Sequence, residues 1–283
     1  TPASPAETQI ESARHALQTR PDDVKSLHAL AVGLTRRARE TGDVAYYEEA
    51  AQTLEKAEQV QPGNRQALMF SAWVAMGRHE FARARRIAMD YERRTPRDPW
   101  NLSVLGDALM ELGEYAQAEE AFQEMVDLKP GPAAYTRVAY LRETRGDLTG
   151  ALDMMQLALA STQTREMEDR AWIGVQVAHL RELQGDLAGS EESYRQALDS
   201  SPGYHYALAG LAELKLREGS AQESARYAAE SIQAAPHAGR HLLLADAWRA
   251  LGQEEKAREE ETRFEERALQ NVDKADNENH DLV

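Results

Sequence analysis

The sequence predicts an all-α chain built from helical hairpins repeated in tandem, and three observations lead there. Ala, Leu, Glu and Arg dominate the 283 residues while aromatics make up only 6%, a bias that favours helix. Prolines recur at Pro62, Pro96, Pro130, Pro202 and Pro236, at spacings of 34, 34, 72 and 34. The 72 is two such intervals plus four residues, and the 41 from Pro21 to Pro62 is one interval plus seven. Small residues also fall in two columns. One reads Ala31, Ala72, Gly106, Ala139, Ala178, Ala212 and Ala245; the other reads Ala50, Ala84, Ala118, Ala151, Ser190, Ser224 and Ala257. Small side chains at fixed offsets let two helix backbones approach closely.

A 34-residue period with this pattern resembles the tetratricopeptide repeat, a helix-turn-helix unit. The resemblance covers about residues 22–264 and implies a right-handed superhelical solenoid of about seven repeats. Each hairpin buries its apolar face by stacking on its neighbours. An apolar column precedes the first small one: Leu30, Leu105, Val138, Val177, Leu211 and Leu244, broken at Ser71.

The elements follow in order. Residues 1–21 form a lead-in, "TPASPAE", and a capping helix like the second half of a repeat, with Ala13 and Ala16 on its apolar side. The lead-in reads as a mature end left by signal cleavage or as an arbitrary boundary. Repeat one carries seven extra residues around "RRARETGDVAYYEEA", which predicts a hairpin longer by one to two turns. Repeat two has Gly77 two residues early. Gly113, Gly146, Gly185, Gly219 and Gly252 mark the turns of the later repeats, since glycine accepts the left-handed backbone that ends a helix. Four extra residues in "TQTREMEDR" predict a lengthened junction between repeats four and five. From residue 265 the chain finishes its last, acidic helix, and "NVDKADNENHDLV" is expected to be disordered.

Composition limits function. A formal net charge of −15 argues against nucleic-acid binding, which needs clustered Lys and Arg. There are no cysteines, which removes disulfides, thiol chemistry and Cys-based zinc sites. No apolar run approaches a membrane span. P-loop, GxGxxG, GxSxG and HExxH motifs are absent, and His237 with His241 lacks a third metal ligand. The expectation is a non-enzyme without cofactor or metal, and a monomer. Compartment stays open between cytoplasm and export, with the Cys-free, Pro-rich start leaning toward export.

The resemblance further implies that positions two, five, nine and twelve of each first helix line a concave groove. Position two supplies Trp100, Trp172 and Tyr206. Position nine supplies Trp73, Asp107, Tyr140, His179, Glu213 and Asp246, and Glu143 and Glu182 lie at position twelve. Met69, Met76 and Met110 add flexible apolar contacts. Lys25 and Arg249 stand alone among groove cations, without Asn, so a carboxylate clamp is not expected. The column that would carry an Asn ladder reads Ala29, Phe70, Val104, Arg137, Gln176, Gly210 and Leu243. The predicted site is therefore Trp73, Trp100, Asp107, Tyr140, Glu143, Trp172, His179, Glu182, Tyr206 and Glu213. It is an acidic, aromatic-lined groove for an apolar or basic peptide or helix, whose arginines would stack on the rings. Two other readings are an assembly subunit docking through its outer face or ends, and a receptor for a small molecule or carbohydrate.

Overall fold

The computed structural model describes residues 4–270, and every regular element within them is an α-helix. The polar tail from residue 271, expected to be disordered, lies outside the described residues. The chain divides into two compact units, Thr1–Lys129 and Pro130–Val283. The first holds α1 (Pro5–Thr19), α2 (Val24–Thr41), α3 (Ala45–Val60), α4 (Arg65–Gly77), α5 (Phe81–Arg94), α6 (Pro99–Glu111) and α7 (Tyr115–Leu128). The second holds α8 (Pro132–Thr144), α9 (Leu148–Ser161), α10 (Met167–Leu183), α11 (Leu187–Ser200), α12 (His205–Arg217), α13 (Ala221–Ala234), α14 (Gly239–Ala250) and α15 (Glu254–Gln270).

From α2 onward the helices pack as successive hairpins in each unit, α1 covering α2. First helices of neighbouring hairpins also touch: α2 with α4 and α4 with α6 in the first unit, α10 with α12 and α12 with α14 in the second. One face of each unit is thus made of first helices.

The two small columns explain the close pairing. All fourteen residues are buried, most of them completely. Gly106 shows the constraint at its tightest, because a Cβ there would lie 2.2 Å from Cε1 of Phe122, a ring that is itself buried. Several helices start at a capping residue. Asp23, Asn64 and Asp98 each accept N–H bonds from the first turn of the helix they precede, and Pro99 and Pro132 occupy first-turn positions, where their missing N–H is not needed. Ser4 and Glu7 close a capping box on α1. At the far end, α15 turns Ala257, Phe264 and Ala268 inward and shows charge outward.

Both insertions lengthen helices. In repeat one, α2 has 18 residues and α3 has 16, against 13 and 14 in α6 and α7. The four residues of "TQTREMEDR" go mainly into a turn at the start of α10, which has 17 residues, and the junction before it, residues 162–166, is only one residue longer than the stretches 95–98 and 201–204.

The early glycine of repeat two is also corrected. Gly77 is the last residue of α4, and it is small because the Tyr47 ring packs on it, 2.2 Å from where a Cβ would sit. The left-handed residue is His79, with φ 56°, one period before Gly113, with φ 76°. A side chain in that region costs about 1–2 kcal/mol, partly offset by glycine's larger freedom when unfolded, about 0.5–1 kcal/mol. We therefore expect His79→Gly to stabilise the first unit by about 0.5–1 kcal/mol and Gly113→His to destabilise it. Urea denaturation of the two variants should shift the midpoint in opposite directions; equal shifts would mean that backbone strain is not what separates these turns.

Candidate partner-binding surface

In the first unit, the first helices bring four rings together. Asp98 accepts from the Trp100 backbone N–H at 2.9 Å, fixing the start of α6. Trp100 meets Trp73 edge to face at 6.1 Å between centroids and Phe70 at 6.0 Å, both at 90°. Phe70 meets His28 of α2 at 5.9 Å. Trp73 and Trp100 are half-buried, so each is locked by neighbours while part of its surface stays open. Such edge-to-face pairs satisfy the ring quadrupoles. Asp107 is half-buried on α6. Met110 is buried in the core and offers no groove contact. His28 is buried, with Nδ1 3.0 Å from Oε1 of Gln66, and desolvation holds its pKa below the usual histidine range.

In the second unit, Tyr140 of α8, Trp172 of α10 and Tyr206 of α12 keep 46%, 40% and 44% of their surface exposed. The charges run through the same helices. His179 Nε2 lies 3.2 Å from Oε1 of Glu143. Glu213 reaches solvent with α10 and α14 packed on either side of its helix. The surrounding protein holds its carboxyl above the usual carboxylate range, while His179 and Arg240 pull it down. Arg240 stands over the Tyr206 ring at 5.6 Å and bonds Nδ1 of His205 at 2.6 Å.

Glu182 differs from the other predicted carboxylates. It accepts from the Tyr194 hydroxyl at 2.8 Å and the Ser190 hydroxyl at 3.1 Å, and it pairs with Arg217. Its charge is directed into the hairpin of α10 and α11. Tyr194 in turn is buried, with a pKa pushed up to about 12 by desolvation and by Glu213.

Three residues of this surface escaped the sequence reading. Phe70 occupies the column that would carry an Asn ladder, a position with no signal for a ring that packs on Trp100. Arg240 follows Tyr206 by one 34-residue period, a signal that could have exposed the pair. Tyr194 had no motif to announce it. His241 pairs with Glu260 at 2.7 Å, both buried. No cluster of three metal-ligating side chains occurs among the described residues, and no helix there is long and apolar enough to cross a membrane.

Residues 104–166 and 178–239 match the family model of the tetratricopeptide repeat. Over these two segments, just under half of its length, the chain carries tetratricopeptide repeats. Solved structures agree in fold. A chain of the APC/C hetero-tetramer Cut9–Hcn1 superposes with a TM-score of 0.67 at 17% identity, over 86% of this chain and 46% of that one. The present chain therefore spans less than half the length of that relative. PilW, a widely conserved type IV pilus biogenesis factor, gives a TM-score of 0.60 at 17% identity, over 71% and 92%. TTC0263, a thermophilic tetratricopeptide protein of Thermus thermophilus, gives 0.56 at 21% identity, over 70% and 97%. At such identities the likeness is one of fold. No curated protein matches the chain in sequence. Tetratricopeptide repeat proteins are in general non-enzymatic scaffolds for protein–protein interaction.

Proposed function

We propose that the first-helix face of the second unit holds an extended or helical segment of a partner protein, apolar or basic in character. Tyr140, Trp172 and Tyr206 act as anchors, and Glu143, His179 and Glu213 supply polar and charge complementarity. The observation that carries this reading is the exposure of three large rings on α8, α10 and α12, beside a carboxylate held above its usual pKa by the protein around it. Rigid aromatics give large contact area at little conformational loss, which is why they dominate binding hot spots. Glu182 supports the surface from behind by fixing Tyr194. Trp73, Trp100 and Asp107 form a separate anchor surface on the first unit.

The test is affinity capture from the source organism's extract with the intact chain and a Trp172→Ala, Tyr206→Ala variant side by side, followed by titration of the captured protein. A partner bound at least about tenfold more weakly by the variant, with the helical circular dichroism unchanged, is the expected result. Equal affinity for both chains would remove these rings from the site.

A further inference from the structure

The acidic chain contains one strongly basic helix, α5, whose charge lies on the side opposite its own buried face. Between Arg78 and Arg97 the sequence carries seven arginines against Glu80, Asp90 and Glu92. That stretch has a net charge of +4 inside a chain of −15, so the remainder carries −19. Helix α5 accounts for most of it. Its inward face is Ala84, Ala88 and Tyr91, all buried. Arg86 and Arg93 lie on the opposite side, with Met89 between them at helical spacing.

These side chains are open. Arg93 is 73% exposed, and Met89 is 46% exposed. Arg86 is exposed and makes no hydrogen bond or ion pair with any described residue. Arg83 pairs with Glu80 within its own segment, and Arg93 and Arg94 share the single carboxylate of Asp90. Exposed pairs between residues three or four apart are weak and exchange readily. Other arginines have structural duties: Arg78 reaches Glu48, Arg85 reaches Glu114 and Arg97 reaches Glu124. The outer face of α5 thus holds more guanidinium than its own carboxylates neutralise, around one exposed thioether.

We infer that the outer face of α5 is a second docking surface, and that its occupant is a short acidic segment of a partner protein with an apolar residue between two carboxylates. Charge complementarity selects the sign. Geometry selects the spacing: Arg86 and Arg93 are seven residues apart on a helix, about 10 Å, and an extended segment presents carboxylates four residues apart on one face, about 13 Å apart and within reach of two arginine side chains. The residue midway between them, on the same face, meets Met89, whose flexible thioether adapts to varied apolar partners. A nucleic acid fits poorly, since a polyanion longer than the helix runs onto a chain that is otherwise −19. A membrane surface also fits poorly, because the apolar side chains of α5 face inward and only Met89 is available to enter the interface.

The probe is a short fluorescein-labelled peptide with two Glu residues four apart and a leucine midway between them, titrated into the full chain by anisotropy at low and at physiological salt. The same titration uses a Lys-for-Glu peptide, a single-stranded oligonucleotide of similar length, and anionic phospholipid vesicles. Binding of the Glu peptide is expected to weaken about tenfold or more with Arg86→Glu, Arg93→Glu. It should weaken with rising salt, and it should be unchanged by Arg195→Glu, Arg226→Glu on the second unit, which alters net charge equally. Equal loss in both variants would reduce the effect to net charge and overturn the site. So would tighter binding of the oligonucleotide or the vesicles, or no response of the Glu peptide to the α5 variant.

Discussion

Phe122→Ala is expected to destabilise the first unit by about 3–5 kcal/mol, the range for truncating a fully buried ring. Phe122 is only 1% exposed and fills the notch left by Gly106, where the other six copies carry alanine. Gly106→Ala should also destabilise, by about 1–3 kcal/mol, because the new methyl would lie 2.2 Å from the ring unless α6 and α7 move apart. The two changes together should be milder than their sum. With the ring gone, the added methyl occupies part of the cavity and restores the packing of the neighbouring repeats, so the coupling should be about 0.5–3 kcal/mol in favour of the pair. Denaturant unfolding of the four chains measures it. Strict additivity would show that ring and glycine do not share one space.

Raising the pH should destabilise the second unit through Tyr194. In the folded chain its hydroxyl holds the proton up to about 12, against an ordinary value of 10. The folded state thus binds this proton more tightly than the unfolded one. The stabilisation is fully present below pH 10 and is lost as pH rises from 10 through 12. A shift of this size corresponds to about 2–3 kcal/mol. Tyr194→Phe should lose about 1 kcal/mol at neutral pH, with the bond to Glu182, and then fall less steeply in alkali than the natural chain. Parallel declines of the two chains between pH 10 and 12 would assign the alkaline loss to other groups.

The parts of the fold legible in the sequence were those repeated in every copy. A small residue where two backbones meet leaves its mark seven times, and the buried state of Ala31 through Ala257 follows from that repetition. Non-repeated features were harder to read. Gly77 looked like a displaced turn because glycine has two uses, a left-handed backbone and a missing side chain; only the position of the Tyr47 ring distinguishes them. The four residues before Ala171 could extend a loop or a helix, and nothing local to them decides which. At the candidate site, helical spacing located Trp172 and Tyr206 without showing that Arg240 stands over one of them. Carboxylates were the least legible: Glu143 and Glu182 occupy the same repeat position, yet Glu182 is turned toward Tyr194, Ser190 and Arg217 by neighbours distant in sequence.

The left-handed residues His79 and Arg97 stand on either side of α5, and their placement has a mechanical meaning. When a hairpin array is pulled from its ends, tension passes through each turn in series and the link with the lowest yield point opens first. Both links of α5 are already loaded by side chains in a backbone region suited to glycine. Within the first unit α5 is therefore the segment expected to peel away first, while the hairpins on either side still bear load.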